Sequence, residues 1–383
     1  MAEARAATGR VHWIGTGLST GSGLRLLCDA ASVVLWGRTA ERAEQCLARL
    51  GLSGRAETRG LGPAALAEQV EPGDLVVSML PAPLHADVLR VCLDAGAHFV
   101  CSSYLSDELE VLSVPAADRG SVVLVETGLD PGLDHLLAHD LVDRAGAAIG
   151  PDTPATIGFT SYCGGIPAVL NEFRYRFSWA PRSVLTALRS PARYVEGGEE
   201  RLVERPWEAV RPHVLHGEEF EVYPNRDSVP YLAQYRVPPA WRADSFIRGT
   251  LRPAGWSTAW APVFEVLRDG DDDQVTELAG ELARKYPTTD EDRDRVVLAV
   301  ALRVEADSGE SWAGEHVLDV TGDDSDSAMA RTVSTPLARA VLDVLEGRTA
   351  AGLHRATDDP DTARRWLTYL AERGVHVRTS PSR

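Results

Sequence analysis

Two carboxylates, Glu126 and Asp130, follow an apolar run in the segment VVLVETGLDPG at 122–132. Apolar runs of this kind form strands that are buried on both faces of a parallel sheet. Because ligands bind where such strands end, the two acids are expected to mark a site rather than a core. Taken alone, the pair could serve as the acid and base of a hydrolase.

A second polar group, Ser102–Tyr104, follows the preceding apolar run. The carboxyl ends of neighbouring parallel strands meet at one edge of a sheet, so this group should lie near Glu126 and Asp130. The alternative is that the serines cap a helix beginning near Asp107 and that Asp130 braces a turn. We interpret this edge of the sheet as a place where a ligand binds, next to both polar groups.

The elements that position these groups alternate over residues 11–127, and this rhythm predicts a Rossmann-type doubly wound parallel sheet in an α/β fold. From about residue 133 the apolar runs shorten and aromatic residues concentrate, which predicts a second α/β domain with a mixed sheet. The first domain is placed at 1–130 and the second at 131–327, with helical spacing over 328–345. Strands are predicted at 11–14, 32–36, 56–58, 75–80, 99–102, 122–126, 156–162, 246–251 and 296–306, and the first domain's main helices at 22–30, 40–50, 64–70 and 85–95.

A glycine-rich turn, GTGLSTG at 15–21, lies between the first predicted strand and helix. Glycines there let backbone N–H groups approach a pyrophosphate, which also lies at the positive end of the helix. The spacing GxGxxxG departs from GxGxxG, and a plain strand–helix turn is the alternative. We predict cofactor contacts from Gly15, Gly17, Leu18 and Ser19.

The second predicted strand ends at Arg38 and Thr39, where an NAD-binding chain normally has an acidic residue. An arginine and a hydroxyl suit a ribose 2′-phosphate, so the pattern favours NADP(H) over NAD(H). The alternative is a solvated arginine in a helix-capping turn. Leu80 and Pro81, after the fourth strand, are expected to form a backbone ledge beside the cofactor.

The composition of the chain argues against several classes of partner and of site. The chain has 383 residues, 44% hydrophobic and 25% charged, with a formal net charge of −17. Such an acidic surface argues against nucleic acid or an anionic membrane as a partner. The five cysteines form no CxxC pair, so neither a metal site nor a disulfide framework is predicted. With no secretory leader and no apolar run of about 18 residues, we expect a cytoplasmic protein.

Six segments lie in this order along the chain: SSYLSDEL (102–109), ETGLDPGLDH (126–135), SYCGG (161–165), FSWAPRSVL (177–185), YPNRDS (223–228) and IRGTLR (247–252). Together they closely resemble the glutamate-forming saccharopine dehydrogenases, also called saccharopine reductases. The resemblance covers most of the chain and extends to its final helix at 329–347. It implies that C-terminal helices, here 328–383, return to the Rossmann domain and that the middle domain forms a homodimer.

The resemblance also implies a reaction: NADPH-dependent reduction of the imine formed between glutamate and 2-aminoadipate 6-semialdehyde. Asp130, at the nicotinamide end of the cofactor site, would be the catalytic residue that stabilises the positive imine nitrogen or shuttles its proton. Glu126 would then be structural. Matched motifs imply substrate contacts from Ser103, Tyr104, Asp130, Arg226, Arg248, Gly249 and Thr250, and cofactor contacts from Ser102, Gly128, Leu129 and Cys163.

One segment departs from the family pattern. Residues 166–173 replace a longer, acidic loop, and Arg174 and Arg176 stand where the family has Gly and Lys. A different amine or carbonyl partner, such as that of a carboxynorspermidine-type reductase, therefore stays open, as does a catalytically silent NADP-binding protein. Arginines in aromatic settings, including Arg182, could bind substrate carboxylates, although each alone is more often a structural ion-pair residue.

Overall fold

The computed structural model describes residues 3–177, 181–289, 292–356 and 359–380. Residues 178–180 of the FSWAPRSVL segment lie outside these ranges. The chain forms two compact units. The first comprises Met1–His135, Asp324–Asp326 and Ala330–Gly374, and the second Leu136–Asp323, Ser327–Met329 and Val375–Arg383.

Helices and strands alternate up to residue 167, and over residues 11–127 this is the alternation that the sequence pattern predicts. In chain order they are β1 (Arg10–Ile14), α1 (Ser22–Ala30), β2 (Ser32–Gly37), α2 (Ala40–Arg49), β3 (Glu57–Gly60), α3 (Pro63–Ala67), β4 (Leu75–Ser78), α4 (His85–Ala95), β5 (His98–Cys101), α5 (Asp107–Ser113), β6 (Val122–Leu124), α6 (Leu133–Ile149) and β7 (Ala155–Pro167).

Shorter elements and long strands make up the remainder. They are α7 (Pro181–Leu188), β8 (Ala192–Glu196), β9 (Glu199–Val203), β10 (Arg211–Leu215), β11 (Glu218–Pro224), α8 (Tyr231–Gln234), β12 (Trp241–Pro253), α9 (Trp256–Ala259), α10 (Ala261–Asp269), α11 (Asp272–Lys285), β13 (Asp294–Ala306), β14 (Ser311–Thr321), α12 (Ala328–Leu345), β15 (Gly352–His354), α13 (Pro360–Ala371) and β16 (Val377–Ser380), with 3-10 turns at Ala82–Leu84 and Pro206–Ala209.

The first unit contains a parallel sheet in the order β15-β6-β5-β4-β1-β2-β3. The predicted doubly wound sheet is confirmed, and its strand order reverses between β1 and β4, where such folds bind their ligands. The core strands read as continuous apolar runs because both faces are covered. Val76, Val77, Phe99 and Val123, for example, are fully buried.

The second unit contains a mixed sheet in the order β10-β11-β12-β7-β13-β14-β16, with β8 and β9 attached at β12. Among the described residues β12 and β7 form its parallel pair, and the other pairings are antiparallel. The predicted mixed sheet is therefore confirmed. A buried aromatic cluster that includes Tyr175, Tyr223 and Trp256 packs in this unit.

Two strands at the end of the chain are absent from the sequence prediction. β15 extends the parallel sheet beyond β6, and β16 pairs with β14 in the second sheet. Each has only three or four residues and lacks a long apolar run, so periodicity does not reveal it. The predicted helix at 328–345 coincides with α12.

No helix among the described residues is both long enough and apolar enough to cross a membrane.

Candidate functional site

Tyr104 and Asp130 are joined by a short hydrogen bond. The Tyr104 hydroxyl donates to Oδ1 of Asp130 over 2.5 Å, and both side chains are half-buried. Tyr104 follows β5 and Asp130 follows β6, so the carboxyl ends of two paired strands supply the two groups. The expected meeting of these polar segments is therefore observed in the first unit.

The turn that carries Asp130 lies against the end of β5. A Cβ atom on Gly128 would come within 2.9 Å of the Ser102 Cβ, so only glycine permits this approach. The Thr127 hydroxyl donates to the Cys101 carbonyl over 3.0 Å. Predicted cofactor residues Ser102 and Gly128 are thus in contact, and Leu129 next to them is 4% exposed.

Glu126 has a structural environment, as the sequence analysis expects. It is 2% exposed, accepts a hydrogen bond from the Leu105 N–H, and lies 3.2 Å from His135 Nε2. Burial alone would raise its pKa, but the His135 contact, the Leu105 N–H and the Arg355 charge outweigh burial and lower it to about 2. Glu126 is therefore a fixed anion and not a general acid.

Ser103, a predicted substrate contact, belongs to a chain of side chains that the sequence analysis did not identify. His85 Nε2 lies 2.8 Å from the Ser103 hydroxyl, and His85 Nδ1 lies 2.8 Å from the Ser78 hydroxyl. The ring is 1% exposed. Burial lowers the pKa of His85 to about 4, so the imidazole is neutral near pH 7.

The glycine turn after β1 is closely packed at Gly15 and open at Gly17. Gly15 has a φ of 125°, and its missing Cβ would lie 3.0 Å from the Met79 carbonyl oxygen. Gly17 is exposed, and a Cβ there would meet nothing within 4 Å. Within the described part of the chain, the N–H groups of Gly17, Leu18 and Ser19 donate to no protein acceptor. Such an open row of amides fits an anion.

The start of α1 differs from the expected phosphate site. Asp326 Oδ2 accepts hydrogen bonds of 2.6 Å from both the amide and the hydroxyl of Ser22. The Gly23 amide donates to the Ser334 hydroxyl over 2.9 Å. Because side chains already satisfy these amides, the amides without a protein acceptor lie in the turn at 17–19 and not at the start of α1.

The end of β2 presents a cation. Arg38 is exposed and forms no ion pair with any described residue, whereas the Thr39 hydroxyl accepts from the Arg42 N–H and caps α2. The capping alternative therefore applies to Thr39, and Arg38 fits a 2′-phosphate. Leu80 is half-buried and Pro81 exposed at the end of β4, next to the β1–β4 switch point.

The remaining predicted site residues gather in the second unit. Thr250 on β12 lies beside Cys163 on β7, and Gly249 lies beside Tyr162. A Cβ on Gly249 would lie 2.5 Å from the Tyr223 carbonyl, which explains the glycine.

Arg248 and Arg226, the two arginines predicted to bind substrate, lie next to the Gly249–Thr250 segment. Arg248 is 3% exposed, and its guanidinium lies 4.0 Å from the ring centroid of Tyr231. Its carbonyl accepts from the Asn225 amide, so the turn bearing exposed Arg226 packs against β12. Arg226 adopts a φ of 58°.

Arg252 shares the strand face of Arg248 and Thr250, and sequence reasoning missed it. It is 6% exposed and lies 5.0 to 5.8 Å from the ring centroids of Tyr175, Tyr223 and Trp256. Among the described residues it has no carboxylate partner, so these aromatic faces compensate for its burial. The alternation of arginines in IRGTLR was the available signal.

Two other arginines considered as carboxylate ligands contact side chains of the protein. Arg176 forms an ion pair with Asp292 at 3.1 Å, and Arg182 donates to Thr276 over 2.9 Å. The ion-pair alternative is favoured for these two. The described residues contain no group of His, Cys, Asp and Glu side chains arranged to hold a metal ion.

Two family models match consecutive parts of the chain. Residues 11–124 match the saccharopine dehydrogenase NADP binding domain, and residues 128–375 match the saccharopine dehydrogenase C-terminal domain. The chain belongs to the saccharopine dehydrogenase family. The resemblance drawn from the sequence motifs is confirmed, as is the expectation of NADP(H).

Individual members of the saccharopine dehydrogenase family show how far the likeness extends. The chain is 37% identical over 257 residues to the NADP+, L-glutamate-forming saccharopine dehydrogenase of Pyricularia oryzae, covering 65% of this chain and 56% of that protein. Its counterpart in Schizosaccharomyces pombe is 38% identical over 201 residues, covering 50% and 43%. The chain thus spans about half the length of the curated relatives it matches.

Solved structures agree on the architecture. Apo L-glutamate-forming saccharopine dehydrogenase from Saccharomyces cerevisiae superposes with a TM-score of 0.82 and 26% identity, covering 97% of this chain and 99% of that one. A homospermidine synthase from Legionella pneumophila, in complex with NAD, reaches 0.61 at 9% identity, covering 99% and 92%. The second likeness shows the fold alone.

Proposed function

We propose that this protein is an NADPH-dependent reductase of carbon–nitrogen double bonds. It joins glutamate and 2-aminoadipate 6-semialdehyde to saccharopine, or catalyses the reverse reaction. The observation that carries the proposal is the Tyr104–Asp130 hydrogen bond at the carboxyl edge of a NADP-binding sheet, beside the Ser102–Gly128 contact. A paired-carboxylate hydrolase is disfavoured because Glu126 is already committed to His135 and Leu105.

Reduction of an imine needs little acid–base catalysis from the protein. NADPH, when bound, supplies the hydride to the imine carbon. An imine nitrogen that carries a proton is positively charged, and a nearby carboxylate stabilises that charge. Asp130 provides this carboxylate, and the hydrogen bond from Tyr104 fixes its orientation. Orientation of the two reactants is worth several kcal/mol, about 7 or more in favourable cases.

The cofactor fits the first unit at three points. The open amides of residues 17–19 suit the pyrophosphate, and exposed Arg38 suits the 2′-phosphate. Leu80 and Pro81 follow β4 at the switch point, where they would support the middle of the cofactor.

Glutamate and the amino-acid semialdehyde bring several carboxylates to the site. Arg226 and Arg248 are the predicted partners, because a guanidinium binds a carboxylate bidentately. The Gly249–Thr250 segment lies on the same strand, beside Cys163. As the family motifs imply, the proposal keeps Ser103 as a substrate contact and Cys163 as a nicotinamide-side contact.

We extend the proposal to a homodimer in the cytoplasm. The second sheet has small residues on adjacent strands, Gly158, Thr160, Ala301 and Ala313, all half-buried, and such a face suits another protein surface. All five cysteines are free thiols, as expected in a reducing compartment. Light scattering on the purified protein tests the dimer, and a monomer at all concentrations would contradict it.

The activity is tested by following NADPH oxidation with glutamate plus 2-aminoadipate semialdehyde, and NADP+ reduction with saccharopine. A parallel arm supplies a diamine with an aldehyde, because the segment 166–176 departs from the family pattern. Turnover with the first pair supports the saccharopine reaction, and turnover confined to the diamine arm redirects the substrate assignment. Tight NADPH binding with no turnover in any arm would overturn the enzyme proposal.

A further inference from the structure

Three side chains from three different elements form a continuous hydrogen-bonded row in the first unit. Ser78 ends β4, His85 begins α4, and Ser103 follows β5. Each ring nitrogen of His85 lies 2.8 Å from one of the two hydroxyl oxygens. Both distances are those of well-formed hydrogen bonds, and both hydroxyls sit where parallel strands end.

The His85 ring is held on all sides. His85 is 1% exposed, and Ser78 at the inner end of the row is fully buried. Phe99 meets the ring edge-on, with 6.2 Å between the ring centroids. Packing and the hydrogen bond at Nδ1 together hold the Nε2 atom in one position. A fixed Nε2 atom can in turn hold the Ser103 hydroxyl in one position.

The protonation state of the ring makes the row directional. A neutral imidazole has one N–H donor and one acceptor nitrogen, so the two hydroxyls play opposite parts towards it. With a proton on Nε2, the Ser103 hydroxyl accepts from the ring and can donate elsewhere; without it, the hydroxyl donates to the ring and can only accept elsewhere. In both cases its remaining hydrogen-bonding capacity is directed away from the ring, and Ser103 is half-buried.

We propose that His85 is a positioning residue that fixes the rotamer of the Ser103 side chain for the substrate. This inference rests on the proposed function, which makes Ser103 a substrate contact. A serine hydroxyl otherwise samples three staggered rotamers, and selecting one in advance removes an ordering cost from binding. The hydrogen bond between Ser78 and Nδ1 fixes the orientation of the His85 ring.

The test is a double-mutant cycle between His85 and Ser103 in the full-length protein with NADPH. His85→Phe keeps a ring and removes both hydrogen bonds, and Ser103→Ala removes the hydroxyl. We expect each single variant to lower kcat/KM for the amine–aldehyde pair by about tenfold, through KM more than kcat. In the Ser103→Ala background His85→Phe should cost less than about twofold further, because the shared contact is already lost.

Two further variants separate positioning from packing. His85→Gln places an amide near the position of Nε2 and should recover part of the lost kcat/KM. His98→Phe replaces another buried histidine of the sheet, which accepts from the Val122 amide and does not contact Ser103, so its effect should add fully to that of Ser103→Ala. If His85→Phe does not fold, Ser78→Ala replaces it in the cycle.

The outcomes separate this inference from the proposed function. Full additivity of His85→Phe and Ser103→Ala would overturn the positioning role. A wild-type protein that binds NADPH and turns over no substrate would instead overturn the proposed function. The row itself is then tested by ¹⁵N NMR of the histidine rings, where Ser103→Ala should shift the Nε2 signal of His85, and an unchanged signal would refute the contact.

Discussion

Tyr104 donates its hydroxyl proton to Oδ1 of Asp130, across the carboxyl ends of β5 and β6. This relationship separates Asp130 from Glu126, four residues earlier on the same turn. Glu126 is enclosed and paired with His135, whereas Asp130 is half-buried and faces a phenol. Two acids of similar sequence context therefore have different parts, one structural and one proposed for chemistry.

Removing the charge of Asp130 should affect turnover and not cofactor binding. We expect Asp130→Asn to lower kcat by about 100-fold or more, because a carboxylate that stabilises a cationic imine is worth several kcal/mol. Tyr104→Phe should cost about tenfold, since it removes only the orienting hydrogen bond. Steady-state kinetics, with NADPH affinity from fluorescence, check both. Unchanged kcat in Asp130→Asn would remove this residue from the mechanism.

Arg38 should distinguish NADPH from NADH. Replacing it with Asp removes charge-assisted bonds to a 2′-phosphate and adds repulsion, so the Kd for NADPH should rise by about 100-fold. The Kd for NADH should change by less than about threefold. Arg119→Asp, which makes the same charge change at the amino end of β6, should leave both affinities intact. Equal losses for NADPH and NADH in Arg38→Asp would contradict the 2′-phosphate assignment.

Much of this molecule follows from local patterns in the sequence. The strands of the first unit are apolar runs bounded by turns, and the polar segments at 102–104 and 126–130 end neighbouring strands, so their meeting could be predicted. β15 could not, because its three residues owe their conformation to pairing with β6.

The site residues that escaped prediction act through partners distant in sequence. His85 contacts Ser103, 18 residues later, and Asp326 contacts Ser22 across 304 residues. Arg252 is caged by rings from three separate segments. Such contacts depend on tertiary packing, which periodicity and spacing do not record.

Alanine substitutions at Gly23 and Gly17 should have different effects, one on stability and the other on cofactor binding. A Cβ on Gly23 would lie 1.9 Å from the Ser334 carbonyl oxygen, so Gly23→Ala must displace backbone and should destabilise the protein by more than about 2 kcal/mol. A Cβ on Gly17 meets nothing, so Gly17→Ala should keep wild-type stability and weaken NADPH binding instead. Urea unfolding and NADPH titration of both variants check this. A stability loss in Gly17→Ala would refute the open turn.

Stability should fall as the pH is lowered below neutrality, and His85 should account for part of that fall. Burial lowers the pKa of His85 to about 4, and it also lowers the pKa of His12, His98 and His213. Between that value and the ordinary value of 6.5, the unfolded chain binds a proton at His85 that the folded protein does not, so the free energy of unfolding rises with pH in this window. The stability is complete above about pH 6.5 and is lost progressively towards pH 4.

His85→Gln removes this titration. Relative to its value at pH 7.5, the free energy of unfolding of the wild type at pH 5 should have dropped by about 2 kcal/mol more than that of the variant. His98→Gln should flatten the pH dependence in the same direction. Urea unfolding at pH 7.5, 6 and 5 provides the comparison. Parallel pH profiles for the wild type and His85→Gln would mean that His85 binds its proton equally in the folded and unfolded states, and the lowered pKa assigned to the buried ring would then be wrong.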